Sequence, residues 1–268
     1  ISALEITLRS LAAQTYGDWD AIVLQDTSQS LAPLGAFLDP QGRIHGMRLI
    51  GMLGEAHAIN TALRVASGDC FIVLRAGTEL LPQHFERAVA ALNDTAALVV
   101  RTPSVVVIHG ATEPGAPPFV RHDNLFMPPT ETRLSFIAPF GPPEALVFTR
   151  TAVDRAQPFN ERLPAFSVWE FLLRIQLQFP FVAADSPVVL HLAAGTGEVY
   201  DQYAVLPGVA NAVYAAFQTS DPAVRIERDA YLRNLLAALE RGRDAAMTPA
   251  GMAQLLQAAN GLELLAGT

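Results

Sequence analysis

The stretch from Phe71 to Pro82 reads FIVLRAGTELLP. A run of four apolar residues, Phe71 to Leu74, stops at Arg75, and Gly77 follows two positions later. In α/β proteins a buried strand that runs into a short polar turn is where ligands sit. A turn built to hold a divalent cation against a diphosphate would carry hard oxygen donors, usually carboxylates. This turn offers a guanidinium and no side chain at all. Arg75 admits three readings: a fixed positive charge on a diphosphate, which guanidinium geometry suits; a partner for a nearby carboxylate such as Asp26; or a solvated loop arginine. His57 falls on a helical pattern, but no second residue at metal-binding spacing accompanies it. Several other chemistries are excluded. The chain has no Ser-His-Asp order, no CxxC pair, no Walker loop and no GxGxxG segment.

These residues need elements to position them, and the chain supplies a regular alternation. ALEITLRSLAAQTY carries Leu4, Leu8 and Leu11 at helical spacing. WDAIVLQD reads as a short buried strand and GMRLIGML as a second. EAHAINTALRVAS is a helix that Gly68 would close, and CFIVL is a third strand. Pro82 opens the helix PQHFERAVAALN at its first turn. ALVVRTPSVVVIHG is strand-like, and residues 110 to 143, rich in Pro and Gly, form a long excursion. EALVFTR resumes order, a helix follows near 167 to 178, and FPFVAADSPVVLHL gives two short strands. From 201 onward the pattern is helical, with Thr248 and Pro249 as a helix start. Strands alternating with helices predict a mostly parallel sheet covered on both faces. Its candidate site lies at the turns 25 to 30, 54 to 60 and 75 to 79.

Composition narrows the function classes. The chain has 268 residues, 51% of them hydrophobic, enough for a sizeable core. All 18 basic residues are arginine, which reflects a GC-rich genome more than a function. A net charge of -8 argues against general nucleic-acid binding. Cys70 is the single cysteine, so no disulfide framework forms, which suits a reducing compartment. No apolar run approaches the roughly 20 residues that span a bilayer, and no signal peptide is legible. The expected location is the cytoplasm.

Three segments together resemble the family 2 glycosyltransferases of the GT-A fold: TLRSLAAQTYGDWDAIVLQDTS, NTALRVASGDCFIVLRAGTELLPQHFERAVAAL and FNERLPAFSVWEFLLRI. The match runs in order over about residues 4 to 192. It implies an α/β GT-A-like nucleotide-binding sheet flanked by helices over 1–195, followed by a C-terminal helical region over 196–268. It implies sugar transfer from a nucleotide-sugar, with Mg²⁺ or Mn²⁺ as the usual metal. The C-terminal helices, with stripes such as Leu232, Leu235, Leu236 and Leu239, suggest core or an interface with a partner or a second copy.

The family's site residues carry over unevenly. Its two base-contacting aspartates fall on Gln25 and Asp26, where Asp26 is either a surviving contact or a turn cap. Its Arg-Asn pair falls on Ile59 and Asn60. The nucleotide-sugar contacts expected here are therefore Gln25, Asp26, Asn60, Arg75 and Gly77. The metal motif, Asp-x-Asp, falls on Arg75, Ala76 and Gly77, so no metal ligand and no cofactor is expected. The catalytic base belongs to a Glu-Asp pair before a Trp, and that pair falls on Ser167 and Val168. Valine accepts no proton, and inverting transfer needs a base. Glu170 lies about 200° around the helix and does not substitute simply. Glu79 and Glu144 are the carboxylates near the cleft that could replace it, with a surface or capping role as the ordinary alternative. The late histidine of the family falls near Ala194, and His191 precedes it by three.

The expected protein is thus a catalytically degenerate glycosyltransferase-like domain, a pseudoenzyme of bacterial polysaccharide assembly that handles a nucleotide-sugar or glycan. The alternative is an active, metal-independent transferase in which Arg75 stands in for the cation. The family's first strand, which lies between the strands at 20 to 25 and 70 to 74, has no counterpart after Ile1. Its place would be filled by residues upstream, by a partner's strand, or by the Val-rich run at 104 to 110.

Overall fold

The computed structural model describes residues 2–25, 41–49, 54–110, 120–126, 132–139, 142–156, 158–195 and 197–261. In chain order, the first half holds α1 (Ala3–Ala12), β1 (Ala21–Gln25), β2 (Ile44–Arg48), α2 (Glu55–Val65), β3 (Cys70–Ile72), β4 (Thr78–Leu80), α3 (His84–Asn93), β5 (Val99–Arg101) and β6 (Ser104–His109). Next come β7 (Val120–Phe126), α4 (Thr132–Ser135), β8 (Leu146–Thr149), α5 (Arg150–Ala156), α6 (Ser167–Gln176), β9 (Phe181–Ala183) and β10 (Val188–Ala193). Five helices follow: α7 (Glu198–Ala204), α8 (Leu206–Ala216), α9 (Pro222–Glu240), α10 (Gly242–Ala246) and α11 (Pro249–Ala259). The chain divides into two compact units, one of residues 1–103 with 143–188, the other of 104–142 with 189–268.

The first unit is an α/β layer structure. Its sheet has the order β3-β8-β5-β9. Successive strand residues point to opposite faces, and the core divides accordingly. Val99, Leu146 and Phe148 meet Ala56 and Ile59 of α2, Ala152 and Ala156 of α5, and Val168, Phe171 and Ile175 of α6. Val100 and Val147 point the other way, onto Ala88 and Leu92 of α3. The ring of Phe171 stacks on Phe159 at a centroid distance of 4.2 Å and lies 5.6 Å from Phe148. A separate parallel ladder pairs β1 with β2.

The second unit joins the excursion to the C-terminal helices. β10, β6 and β7 lie side by side, with β6 and β7 antiparallel. The segment after α4 is held by the helices. Arg228 of α9, almost fully buried, donates to the carbonyls of Phe136 (3.0 Å) and Phe217 (2.9 Å) and lies over the Tyr214 ring. Tyr214 donates to the Ile137 carbonyl. Arg133 pairs with Glu227 at 2.6 Å. At the start of α11, Thr248 accepts from the Gly251 N–H at 3.1 Å, the cap its sequence predicts.

Four local features differ from the sequence reading. The sheet is mixed: β8 runs antiparallel to both β3 and β5. It is reached through a long connection and not through a short crossover helix, so nothing imposes parallel pairing. α2 ends in an extended Ala66 without a glycine cap, and the Gly68 carbonyl instead accepts from Arg150. α3 begins at His84, because the Pro82 carbonyl is taken by the N–H and hydroxyl of Thr15. The run at 104 to 110 pairs with β7 and does not lie between β1 and β3. Among the described residues no ladder joins β1 to β3.

Candidate functional site

The turn after β3 is held by two backbone–backbone hydrogen bonds and two that run through the Thr7 hydroxyl. The Thr78 N–H donates to the Arg75 carbonyl at 3.1 Å, closing the turn. The Gly77 N–H donates to the Ala3 carbonyl at 2.9 Å and to Thr7 Oγ1 at 3.0 Å, both on α1. The Thr7 hydroxyl lies 3.4 Å from the Arg75 carbonyl in return. Gly77 is buried and has φ of 98°, a region that L side chains rarely adopt. Glycine is therefore required by the turn as it stands, and an aspartate here would have to reshape it.

Arg75 has an internal partner. Its Nε and Nη2 meet the two carboxylate oxygens of Glu144 side-on, Nε on Oε1 and Nη2 on Oε2 at 3.1 Å. Glu144 sits on a short 3-10 turn, Pro143–Ala145, and its side chain is 0% exposed, against 38% for Arg75. The turn is fixed by the Ala145 carbonyl, which accepts from the Thr102 N–H and hydroxyl. Glu55, in the first turn of α2, completes the cluster. Burial raises its carboxyl above the ordinary value; Arg75 lowers it and Glu144 raises it further. Among the described residues, Glu144 and Glu55 are thus two carboxyl groups that interact with Arg75.

The other expected residues are distributed around the first unit. Asn60 faces inward and clamps the loop after α5. Its Nδ2 donates to the Phe159 carbonyl (2.9 Å) and to Glu161 Oε1 (2.7 Å), and its Oδ1 accepts from the Phe159 N–H (2.9 Å). His57 reaches the same carboxylate, Nδ1 to Oε2 at 3.0 Å. These two bonds, Asn60 first, hold the Glu161 carboxyl below its ordinary value. Gln25 ends β1, where its carbonyl accepts from the Leu49 N–H. Asp26 lies outside the described residues. Glu79 is exposed on β4.

At the start of α6, Phe166 adopts φ of 57° and turns the first residues inward. Ser167 is fully buried, and its Oγ has no hydrogen-bond partner among the described residues. Val168 belongs to the core with Phe171 and Ile175. Glu170 pairs with Arg174 at 2.9 Å. The position that the resemblance aligns with the family's base is therefore part of the packing. In the second unit, His191 Nδ1 lies 2.9 Å from His109 Nε2 and the rings stack.

The donor set does not fit a divalent cation. A guanidinium locked to a carboxylate and a glycine stand where hard oxygen ligands would be needed. Among the described residues no group of three or more His, Cys, Asp or Glu side chains is placed to hold a metal. Sequence reasoning weighed Glu144 as a base and missed it as the partner of Arg75. It also missed Glu55 and Glu161; the signal for Glu55 was an acidic residue opening a helix beside one of the three turns.

The fold and the position of this turn, at the carboxyl end of a sheet strand, are those of α/β proteins that bind ligands beyond their strand ends. The model of Glycosyl transferase family 2 matches residues 1–154, and the chain belongs to that family. Among solved structures it is similar to the mannosyltransferase PcManGT from Pyrobaculum calidifontis, solved with GDP-Man and Mn²⁺. The TM-score is 0.56 at 18% identity, covering 99% of this chain and 72% of that one. It is also similar to S. aureus TarS 1-349 in complex with UDP-GlcNAc, with a TM-score of 0.54, 14% identity, and 95% and 75% coverage. GalNAc-T7 with UDP, GalNAc and Mn²⁺ gives 0.54 at 15% identity, with 76% and 45% coverage. At these identities the likeness is one of fold, the GT-A fold. The chain spans 37% of a longer S. aureus TarS chain and 60% of the TarS 1-349 chain solved with UDP. No curated protein matches it in sequence. Among the described residues no helix is long and apolar enough to cross a membrane.

Proposed function

We propose that this domain handles a nucleotide-sugar or glycan in bacterial polysaccharide assembly without carrying out metal-dependent transfer. The observation that carries the reading is the Arg75–Glu144 pair, a cation and its counter-anion at the family's metal position. The buried Val168 at the base position supports it, since proton removal from an acceptor hydroxyl has no group there. Residues 1–195 would form the ligand-handling part and 196–268 a helical part that meets a partner or a second copy, in the cytoplasm. Gln25, Asp26, Asn60, Arg75 and Gly77 would border the ligand. Asn60 would act by fixing the 159–161 loop, because its amide is engaged there.

The test is thermal denaturation of the full chain with UDP-, GDP- and dTDP-sugars, each with and without Mn²⁺. A ligand present at about 100 times its Kd stabilises the folded state by about 2.7 kcal/mol. The expected result is a rise in Tm with one donor class that Mn²⁺ does not change. A rise seen only with Mn²⁺ overturns the reading. Turnover that survives EDTA would favour the alternative, with Arg75 in place of the cation.

A further inference from the structure

We infer that the solvent-facing side of α9 is a self-docking surface: two copies of this chain pair through it as antiparallel helices, Ile226 against the partner's Leu236 and Asp229 against the partner's Arg233. The inference rests on the reading above that residues 196–268 meet a partner or a second copy, and narrows it to the second copy.

The argument starts from the two sides of one helix. α9 is 19 residues long, and Val224, Arg228, Tyr231, Leu235 and Ala238 form its buried side. The other side carries Ile226, Asp229, Arg233 and Leu236, at steps of three, four and three. That is the a-d-a-d spacing of a heptad seam. All four are exposed, and the two apolar ones are large: Ile226 is 66% and Leu236 46% exposed. Ala230 and Ala237 flank the seam, and such small side chains let a second helix approach closely.

Charge decides what fits this seam and in which direction. A two-fold rotation about an axis at the level of Tyr231 exchanges Ile226 with Leu236 and Asp229 with Arg233. The seam is therefore its own complement in the antiparallel sense, as a symmetric homodimer requires. A parallel pair in register would set Asp229 on Asp229 and Arg233 on Arg233, and facing like charges are costly. A slip of one heptad in the antiparallel pair would set Ile226 against the partner's Asp229. Two apolar layers thus enclose two charged layers, an arrangement that fixes register at a cost in stability. One helix pair is a small interface, under about 1,200 Å², so the dissociation constant is expected on the order of tens of micromolar.

The experiment is sedimentation velocity of the full chain from about 1 to 500 μM. The unmodified protein is expected to pass from monomer to dimer across that range. Asp229→Arg faces two arginines across each charged layer and should weaken the dimer at least about tenfold. Combining Asp229→Arg with Arg233→Asp restores opposite charges across the axis and should bring the dimer back to within about threefold of the unmodified protein. Ile226→Ser should weaken it while leaving the monomer folded, since this side chain packs on nothing large in its own chain. An unmodified chain that stays monomeric overturns the inference and leaves this face to a different partner. Association that Asp229→Arg does not weaken overturns it too, as does a double exchange that fails to restore it. Donor binding is read separately as a rise in Tm, so failure here and failure of the proposed function are distinguishable.

Discussion

His84 opens α3 with its ring fully buried, and its Nδ1 donates to the Ser186 carbonyl at 3.0 Å. Its Nε2 has no hydrogen-bond partner among the described residues. A proton there would be a buried charge without compensation, so burial lowers the pKa from 6.5 to about 4, against the opposing pull of the Ser186 carbonyl. The unfolded chain therefore takes up this proton near pH 6.5 and the folded chain only near pH 4. Stability from His84 is complete above pH 6.5 and is lost as pH falls towards 4. At roughly 1.36 kcal/mol per unit, the loss approaches about 3 kcal/mol by pH 4.5, a large share of a typical domain stability of about 5–15 kcal/mol. The assay is urea unfolding at pH 7.0 and 4.5 of the unmodified protein and of His84→Gln, whose amide can still donate to Ser186. The variant should lose about 2–3 kcal/mol less across that interval. Equal losses in the two proteins would refute the reasoning, whatever their absolute stabilities.

Three further outcomes follow from the same structure. Gly77→Ala should cost about 1–2 kcal/mol in urea unfolding, since alanine is strained at this positive φ; an unchanged midpoint would show that the turn relaxes freely. Phe171→Ala removes a ring stacked on Phe159 and packed against Phe148 and should cost about 3–5 kcal/mol, whereas Leu236→Ala, 46% exposed on α9, should cost well under about 1 kcal/mol. Restoring aspartate singly at Arg75, Gly77 or Val168 should give no sugar transfer in a donor-turnover assay, because metal ligation and proton removal are separate requirements; rescue by one substitution would mean that only one of them is lost.

The layer architecture was legible because its signals are local. Helical spacing in α1, α2 and α3 and the apolar runs around β3, β5 and β8 follow from side-chain periodicity. β4 was not legible: three residues, Thr78 to Leu80, are too few to alternate visibly. β7 was hidden because VRHDNLF lies in a Pro- and Gly-rich stretch, and its partner β6 supplies the apolar pattern. The absence of carboxylates at Arg75 and Gly77 is a feature of the sequence itself. What Arg75 does could not be read there, since Glu144 lies 69 residues away and only the β8 return brings it close. Asn60 shows the same limit: its position matched a contact residue, while its amide is spent on a loop 99 residues further on.

The central claim is that the site lacks both a metal and a base. It is tested most directly by donor turnover: release of UDP, GDP or dTDP from their sugars by the purified chain, in Mn²⁺ and in EDTA, against a boiled control. The account predicts no release above the control in either condition while a donor still raises the Tm. Release that depends on Mn²⁺ would contradict it.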